Sequence, residues 1–259
     1  MISENCYTLL LTACIEPNAE IAFKNIHFRK DPEVRLLDYE KSLRYWLRYR
    51  QDQIKAIIFI ENSGYALDRL KEIAIHENIY NREVEFLQIN AEQIPAGVHY
   101  GYSELEMIDY AVINSALIKK SDYFIKVTGR LTFPRLSDLL NILNHRINFF
   151  SDCRDYHLGN NKKRFIVTTL LIIKHDYYIS HLMNLRLSMQ AETASHFEKI
   201  YYNKLKPLED DVTVILRFPF NVEPVGYGAH WNVNYSSFQK KIESGIRGIF
   251  RIFLPNIRI

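Results

Sequence analysis

Only three cysteines occur in the 259 residues, Cys6, Cys14 and Cys153, and no pair of them has zinc-ligand spacing. So few, so widely spread, exclude a secreted disulfide scaffold and fit a reducing cytosol. Cys6 and Cys14 fall in a strand-like run and read as small buried hydrophobes. No apolar run approaches the roughly 18 residues that cross a bilayer. Tyr7 to Ile15 is apolar, but Glu4 stands where a secretory signal carries its basic flank. A cytoplasmic protein is the expectation. The net charge of +3 is too small to make nucleic acid a general partner. There is also no glycine-rich phosphate loop, no serine elbow and no histidine pair at helical spacing around a glutamate. Internal repeats, low-complexity tracts and flexible linkers are missing as well.

What remains is ordinary globular material, 47% apolar and 24% charged, with 17 tyrosines and 15 phenylalanines. Tyrosine suits sugar and base sites, and it suits packing equally. At roughly 150 residues per domain as a soft prior, the length fits one elaborated domain. We expect it over residues 1–238, with a basic amphipathic segment over 239–259.

The first half alternates strand and helix. Cys6 to Ala13 is continuously apolar, as a strand buried on both faces should be. Pro32 opens a helix whose buried side carries Leu36, Leu37, Leu43, Trp46 and Leu47, with Arg44, Arg48 and Arg50 solvated. Ile54 to Ile60 is a second strand, and Ser63 is placed to cap the helix of Leu67, Leu70 and Ile73. Val84 to Ile89 is a third. Ser103 and Glu106 have capping-box spacing ahead of the stripe Leu105, Ile108, Val112 and Ala116. A strand from Asp122 to Val127 then runs into Thr128-Gly129-Arg130. This order predicts an α/β fold, with a Rossmann-like, mostly parallel central sheet and helices on both faces. The second half is less regular. Its pattern predicts helix over 133–147, a short strand at Phe149 running into a charged turn, β structure over 165–173, helix over most of 179–205 and a last strand over 212–216.

Four polar segments, Thr12 to Ile15, Glu61 to Gly64, Tyr100 to Glu104 and Lys126 to Arg130, lie at carboxyl ends of strands or at helix entries. Ligands of open α/β sheets sit at that edge. An arginine held there can grip a phosphate through two parallel hydrogen bonds; otherwise Arg130 is a solvated residue beyond a plain core unit.

The series Leu11-Thr12-Ala13 with Pro17, Glu61-Asn62-Ser63-Gly64-Tyr65, Gly101-Tyr102-Ser103-Glu104 and Lys126-Val127-Thr128-Gly129-Arg130 resembles bacterial surface-polysaccharide glycosyltransferases. These have the A-type, nucleotide-diphospho-sugar-transferase fold. The likeness runs from the first strand through Arg130. It recurs more weakly at Ser151-Asp152-Cys153-Arg154, at Glu198 and at Pro224-Val225-Gly226. The resemblance implies a nucleotide-sugar donor held by Thr12, Ala13, Cys14, Glu61, Asn62, Ser63, Gly101, Glu104, Lys126, Thr128, Gly129 and Arg130. It also implies a glycan or lipid-linked acceptor. Such enzymes commonly carry an Asp-x-Asp pair on a divalent metal where this chain has Lys126 to Arg130. Fixed cations there would neutralise the leaving diphosphate, so we expect no metal cofactor, although Mn²⁺ or Mg²⁺ has an acidic alternative at Asp152 and Asp155. The plainer reading of that turn is an exposed ion pair with Arg154.

An inverting transfer needs a carboxylate to take the acceptor hydroxyl's proton. Glu198, on a helix with Tyr201 and Tyr202 nearby, is the first candidate, Glu192 the second and Asp152 the third; a solvated helical ion pair with Lys199 is the plain alternative for Glu198. Glu104 either meets ribose or sugar hydroxyls or is a first-turn acid, and Glu61 and Asn62 either meet the nucleoside or cap a helix. His230 and Trp231 are placed over the acceptor, while His99 and His175 read as structural or exposed. Lys240, Lys241, Arg247, Arg251 and Arg258 face a single acid, Glu243, beside Ile242, Ile246, Ile249, Phe250 and Phe253. That composition suits a helix lying on the inner face of the cytoplasmic membrane, or one that docks on the core with its basic residues outside. Two other functions share these features: a sugar nucleotidyltransferase on the same sheet, and a non-catalytic carbohydrate-binding subunit of a polysaccharide-assembly complex.

Overall fold

The computed structural model describes residues 6–17, 29–90, 94–158, 161–191, 196–209, 211–228, 232–254 and 257–259. In chain order the first half comprises β1 (Tyr7–Ala13), α1 (Pro32–Leu47), β2 (Ile54–Glu61), α2 (Asp68–Glu77), β3 (Glu83–Gln88), α3 (Gly101–Asn114), α4 (Ala116–Lys119) and β4 (Tyr123–Thr128). The second half comprises β5 (Leu131–Thr132), α5 (Leu136–Asn141), β6 (Phe149–Phe150), β7 (Cys153–Leu158), β8 (Asn161–Ile166), β9 (Leu170–Lys174), α6 (His175–Tyr177), α7 (Phe197–Leu205), β10 (Val214–Ile215), β11 (Val225–Gly226) and α8 (Phe238–Phe253).

Seven strands form the central sheet in the order β10-β6-β9-β4-β1-β2-β3. All its pairs are parallel except the two made by β9, which runs against β4 and β6. Strand alternation splits the core in two. Leu9, Leu11, Ile57, Phe59, Ile125 and Val127 pack under α1, α2 and α5. Leu10, Ile58, Ile60, Phe124, Leu171 and Ile173 pack under α3, α4 and α7. The expected parallel sheet with helices on both faces is what forms.

Local differences from the sequence pattern have identifiable causes. Helix α1 opens at Pro32 as expected, with the Asp31 carboxylate accepting from the backbone of Glu33 and Val34. Arg44 is not merely solvated, because it pairs with Glu40 and Glu77. Helix α3 starts at Gly101, and Ser103 does not cap it; the Ser103 hydroxyl instead accepts from Asn62 Nδ2 at 3.2 Å. Helix α2 starts at Asp68, so Ser63 is not its cap either. The helix expected over 133–147 shortens to α5, and the strand over 212–216 to β10. The helix expected over 179–205 breaks into a π turn (Tyr178–Leu182), a 3-10 turn (Leu185–Ser188) and α7. Asp109 on α3 makes that break: its carboxylate accepts from the Tyr178 hydroxyl, the Asn184 backbone and Arg186, with Asn184 in the left-handed region at φ 63°. A buried carboxylate collecting three donors outweighs local helix preference. The β run over 165–173 is likewise interrupted between Ile166 and Leu170, and the interruption brings Thr168 to the site.

Candidate functional site

The carboxyl ends of β1, β2 and β4 meet the amino end of β9 at one edge of the sheet. Gly129 N donates to the Thr12 carbonyl at 2.8 Å, Asn62 N to the Ala13 carbonyl at 3.2 Å, and Thr128 N to the Thr169 carbonyl at 3.1 Å. A methyl group on Gly129 would sit 2.7 Å from the Thr12 oxygen and 3.2 Å from the Tyr39 ring. Only glycine lets β1 and β4 close here. Gly129→Ala is therefore expected to lower stability by about 1–3 kcal/mol through overpacking, read from urea unfolding.

On the α1 side of this edge stands Arg130. Its guanidinium donates to the Tyr39 hydroxyl at 3.1 Å and lies over the same ring, and Nε reaches the Tyr227 carbonyl at 3.4 Å. Burial works against its charge, but Tyr39, Asp38, Cys14 and Glu104 outweigh burial and push its pKa up. Arg35 grips the Cys14 carbonyl through Nε, at 2.7 Å, and through its terminal nitrogen. Cys14 N donates to the Tyr39 hydroxyl at 2.9 Å. Arg29 pairs with Asp38 at 3.2 Å and covers the Tyr227 ring. Burial raises the pKa of Asp38 even with Arg29 beside it. The β1 exit loop is thus pinned by α1 within a strongly cationic corner.

On the α3 and α7 side, β4's alternation turns Lys126 inward, level with Leu10 and Leu171. Its side chain is 0% exposed. The ammonium lies 2.5 Å from Glu104 Oε1, donates to the Thr168 carbonyl at 2.7 Å and reaches Thr128 Oγ1 at 3.3 Å. Thr12 Oγ1 also donates to Glu104, at 3.0 Å. Thr168 Oγ1 points at Glu198 Oε1, 3.4 Å away, in the first turn of α7. Burial raises the Glu198 pKa, and the Glu104 charge adds to the rise; its own backbone N–H, Lys126 and Thr168 oppose it. Gly101 lets α3 approach α7, since a Cβ there would fall 2.9 Å from that of Phe197. Tyr100 and Tyr235 lie near both sides. Burial raises both phenol pKa values, and each feels the charges of Glu198 and Arg130.

The structure gathers Thr12, Glu104, Lys126, Thr128, Gly129, Arg130 and Glu198 at this edge, but it changes several roles. Lys126 does not face a phosphate; strand parity buries it as the counterion of Glu104. Glu61 is fully buried and spends its carboxylate on the backbones of Ile15, Ser63 and Tyr65 and on the Ser63 hydroxyl, holding the loops after β1 and β2 in place. Asn62, 3% exposed, donates to Ser103, and its Oδ1 has no hydrogen-bond partner among the described residues. Asp152 is not a base or a metal ligand in this arrangement. Its carboxylate is clasped by Arg154 at 2.6 Å and Arg251 at 2.5 Å. Burial alone would raise its pKa, but the two arginines hold it below the usual carboxylate range. Asp155 is taken by Lys206 and Arg164. Glu192, His230 and Trp231 lie outside the described residues. Arg29, Arg35, Asp38, Tyr39 and Thr168 were not singled out by sequence.

At the end of β4, where an acidic pair would hold a divalent ion, stand the Lys126 ammonium, already paired with Glu104, and the Arg130 guanidinium. Among the described residues, no three His, Cys, Asp or Glu side chains group as a metal's ligands would.

No family model matches the chain, and no curated protein matches it in sequence. Solved structures do match. Inositol-1-phosphate CTP transferase from T. maritima is 10% identical over 95% of this chain and 97% of its own, with a TM-score of 0.47. The 4-diphosphocytidyl-2C-methyl-D-erythritol synthase from Anaerococcus prevotii is 10% identical over 95% and 96%, at 0.46. Core-mannan synthase A from Aspergillus fumigatus, in its Mn/GDP form, is 9% identical over 78% and 70%, also at 0.46. Nucleotidyltransferases and glycosyltransferases both occur among these neighbours.

Proposed function

We propose that the chain is a glycosyltransferase that moves a sugar from a nucleotide-activated donor to a growing cell-surface polysaccharide or lipid-linked glycan. One juxtaposition carries the reading: the half-buried carboxyl of Glu198, 3.4 Å from Thr168 Oγ1, and the guanidinium of Arg130, 3.1 Å from the Tyr39 hydroxyl, share one sheet edge. Arg130 grips the donor diphosphate, and Arg29 adds positive potential behind it. Asn62, with its unused buried carbonyl oxygen, faces the nucleoside. For an inverting transfer, Glu198 takes the acceptor hydroxyl's proton as that oxygen bonds to the anomeric carbon. The bond from that carbon to the diphosphate oxygen breaks, and the nucleoside diphosphate leaves with the electron pair. Glu104, neutralised by Lys126, stays a positioning group. An acceptor presented at the inner face of the cytoplasmic membrane completes the proposal.

The test is a thermal-shift screen of UDP, GDP, CMP and dTDP, with and without Mn²⁺. A nucleotide at a hundred times its Kd is expected to add about 2.7 kcal/mol, a shift of about 5 °C for a chain of this size. Arg130→Ala should abolish it. An unchanged shift in that variant removes Arg130 from the site. Turnover that EDTA abolishes, with pyrophosphate as product, would favour the nucleotidyltransferase instead.

A further inference from the structure

Helix α8 is amphipathic in an inverted sense. Its polar side faces the body of the protein: Arg251 donates to Asp152 at 2.5 Å and to the Phe218 carbonyl at 2.6 Å, and Arg247 pairs with Glu223 at 3.1 Å. Asn221 Nδ2 donates to the Ser244 carbonyl at 2.5 Å. The apolar side is turned out. Phe238, Ile242, Ile246, Ile249, Ile252 and Phe253 are between 44% and 80% exposed, and no residue of the helix is buried. Their three- and four-residue steps make one continuous stripe along all 16 residues, about 24 Å. A helix that completes a core presents the reverse arrangement. So large an exposed apolar face marks a contact with something apolar. No helix among the described residues is long and apolar enough to cross a membrane.

Charge selects the occupant. Residues 239–259 hold five cations against one acid, a surplus of four, while the whole chain carries +3; the remainder is therefore net −1. Arg154, Arg217, Arg247, Arg251 and Arg258 line a surface pocket beside α8; Asp152, Glu223 and Glu209 pair with four of them and leave a surplus of two, and Lys241 on the helix is exposed. A second copy docked face to face would bring two such positive segments together. An anionic lipid surface meets both the apolar stripe and the charge.

We propose that α8 lies in the plane of an anionic phospholipid membrane, with its outward stripe among the acyl chains. Arg251 ties this helix to Asp152, which follows β6 and accepts from Val167 N at 2.8 Å, next to Thr168 of the site. The lipid-facing helix is therefore fastened to the sheet edge that holds Glu198 and Arg130. The membrane contact stands on α8 alone; its bearing on a lipid-linked acceptor rests on the transferase reading.

The experiment is flotation of the full chain with vesicles of phosphatidylcholine containing one-third phosphatidylglycerol, against pure phosphatidylcholine. Binding should be about tenfold stronger to the anionic vesicles and should weaken as NaCl rises to about 0.5 M. Ile246→Glu combined with Ile249→Glu, both at exposed positions, should cost at least about tenfold in vesicle binding while the melting temperature and any nucleotide-induced shift stay unchanged. The proposal is overturned if the variant floats like the parent, or if the parent binds neither vesicle. It is equally overturned if the parent ignores vesicles but sediments as a dimer that the variant dissolves, because the stripe then joins two copies. Flotation needs no catalysis, so loss of the transferase reading would appear separately, as vesicle binding without nucleotide response.

Discussion

Glu198→Gln is expected to lower sugar transfer by about 10²–10⁴-fold, the loss typical of removing a general base, with donor binding nearly unchanged. The amide is nearly isosteric and its oxygen still accepts from Thr168, so neither the α7 entry nor the Lys126 cluster has reason to move. Single-turnover transfer and nucleotide-induced thermal shifts, measured together, separate the two effects. The proposal also predicts a pH signature for the parent protein. Glu198 must be ionised to act, and burial with the Glu104 charge raises its pKa. Activity should therefore fall, as pH drops, at a higher pH than an ordinary glutamate would give. The Gln variant should lack that acid limb. A variant that keeps a tenth or more of the parental rate would remove Glu198 from proton transfer.

Lys126→Met is expected to cost about 3 kcal/mol, the low end for breaking a buried pair, because Glu104 keeps some access to water. The ammonium is wholly enclosed, and it satisfies a carboxylate, a carbonyl and a hydroxyl together. Methionine fills the space but leaves Glu104 without its counterion and the Thr168 carbonyl without its donor. Adding Glu104→Gln should recover part of the loss, since a neutral amide needs no counterion. Urea unfolding of the two single variants and the double closes the cycle. Additive losses would mean that the two groups do not act as a pair.

Much of this site was legible in the sequence because its strands are unambiguous. The runs ending at Ala13, Glu61 and Thr128 are too apolar for anything but a buried sheet, and a buried parallel sheet puts its polar residues at the carboxyl edge. The role of Lys126 was not legible. Its parity with Phe124 and Thr128 is visible in the chain, but which parity faces water is settled by helices elsewhere. Arg35, Asp38 and Tyr39 were missed, although they left a trace: polar residues at three- and four-residue steps share a face with Leu36 and Leu43, which a simple core helix would not tolerate. Thr168 was hidden inside a run that reads as strand, because the groups that hold the interruption, Lys126 on the Thr168 carbonyl, Thr128 on that of Thr169 and Ser151 on those of Val167 and Leu170, are distant in the chain. For α8 the period could be read, but its facing could not. That depended on Asp152, Glu223 and Asn221 being there to receive its polar side.

The reversal of β9 has a consequence for how the protein is made. Residues up to Thr128 emerge from the ribosome as four parallel strands, with β4 at an open flank and the Lys126–Glu104 pair lacking one of its walls. That flank stays unsealed until the chain has gone out through β6 and the β7–β8 hairpin and turned back, delivering Thr168 and, about thirty residues later, Glu198. The residues of the proposed chemistry thus come together only once these later segments have been made, and a product ending at Thr128 would lack Arg130, Thr168 and Glu198 alike.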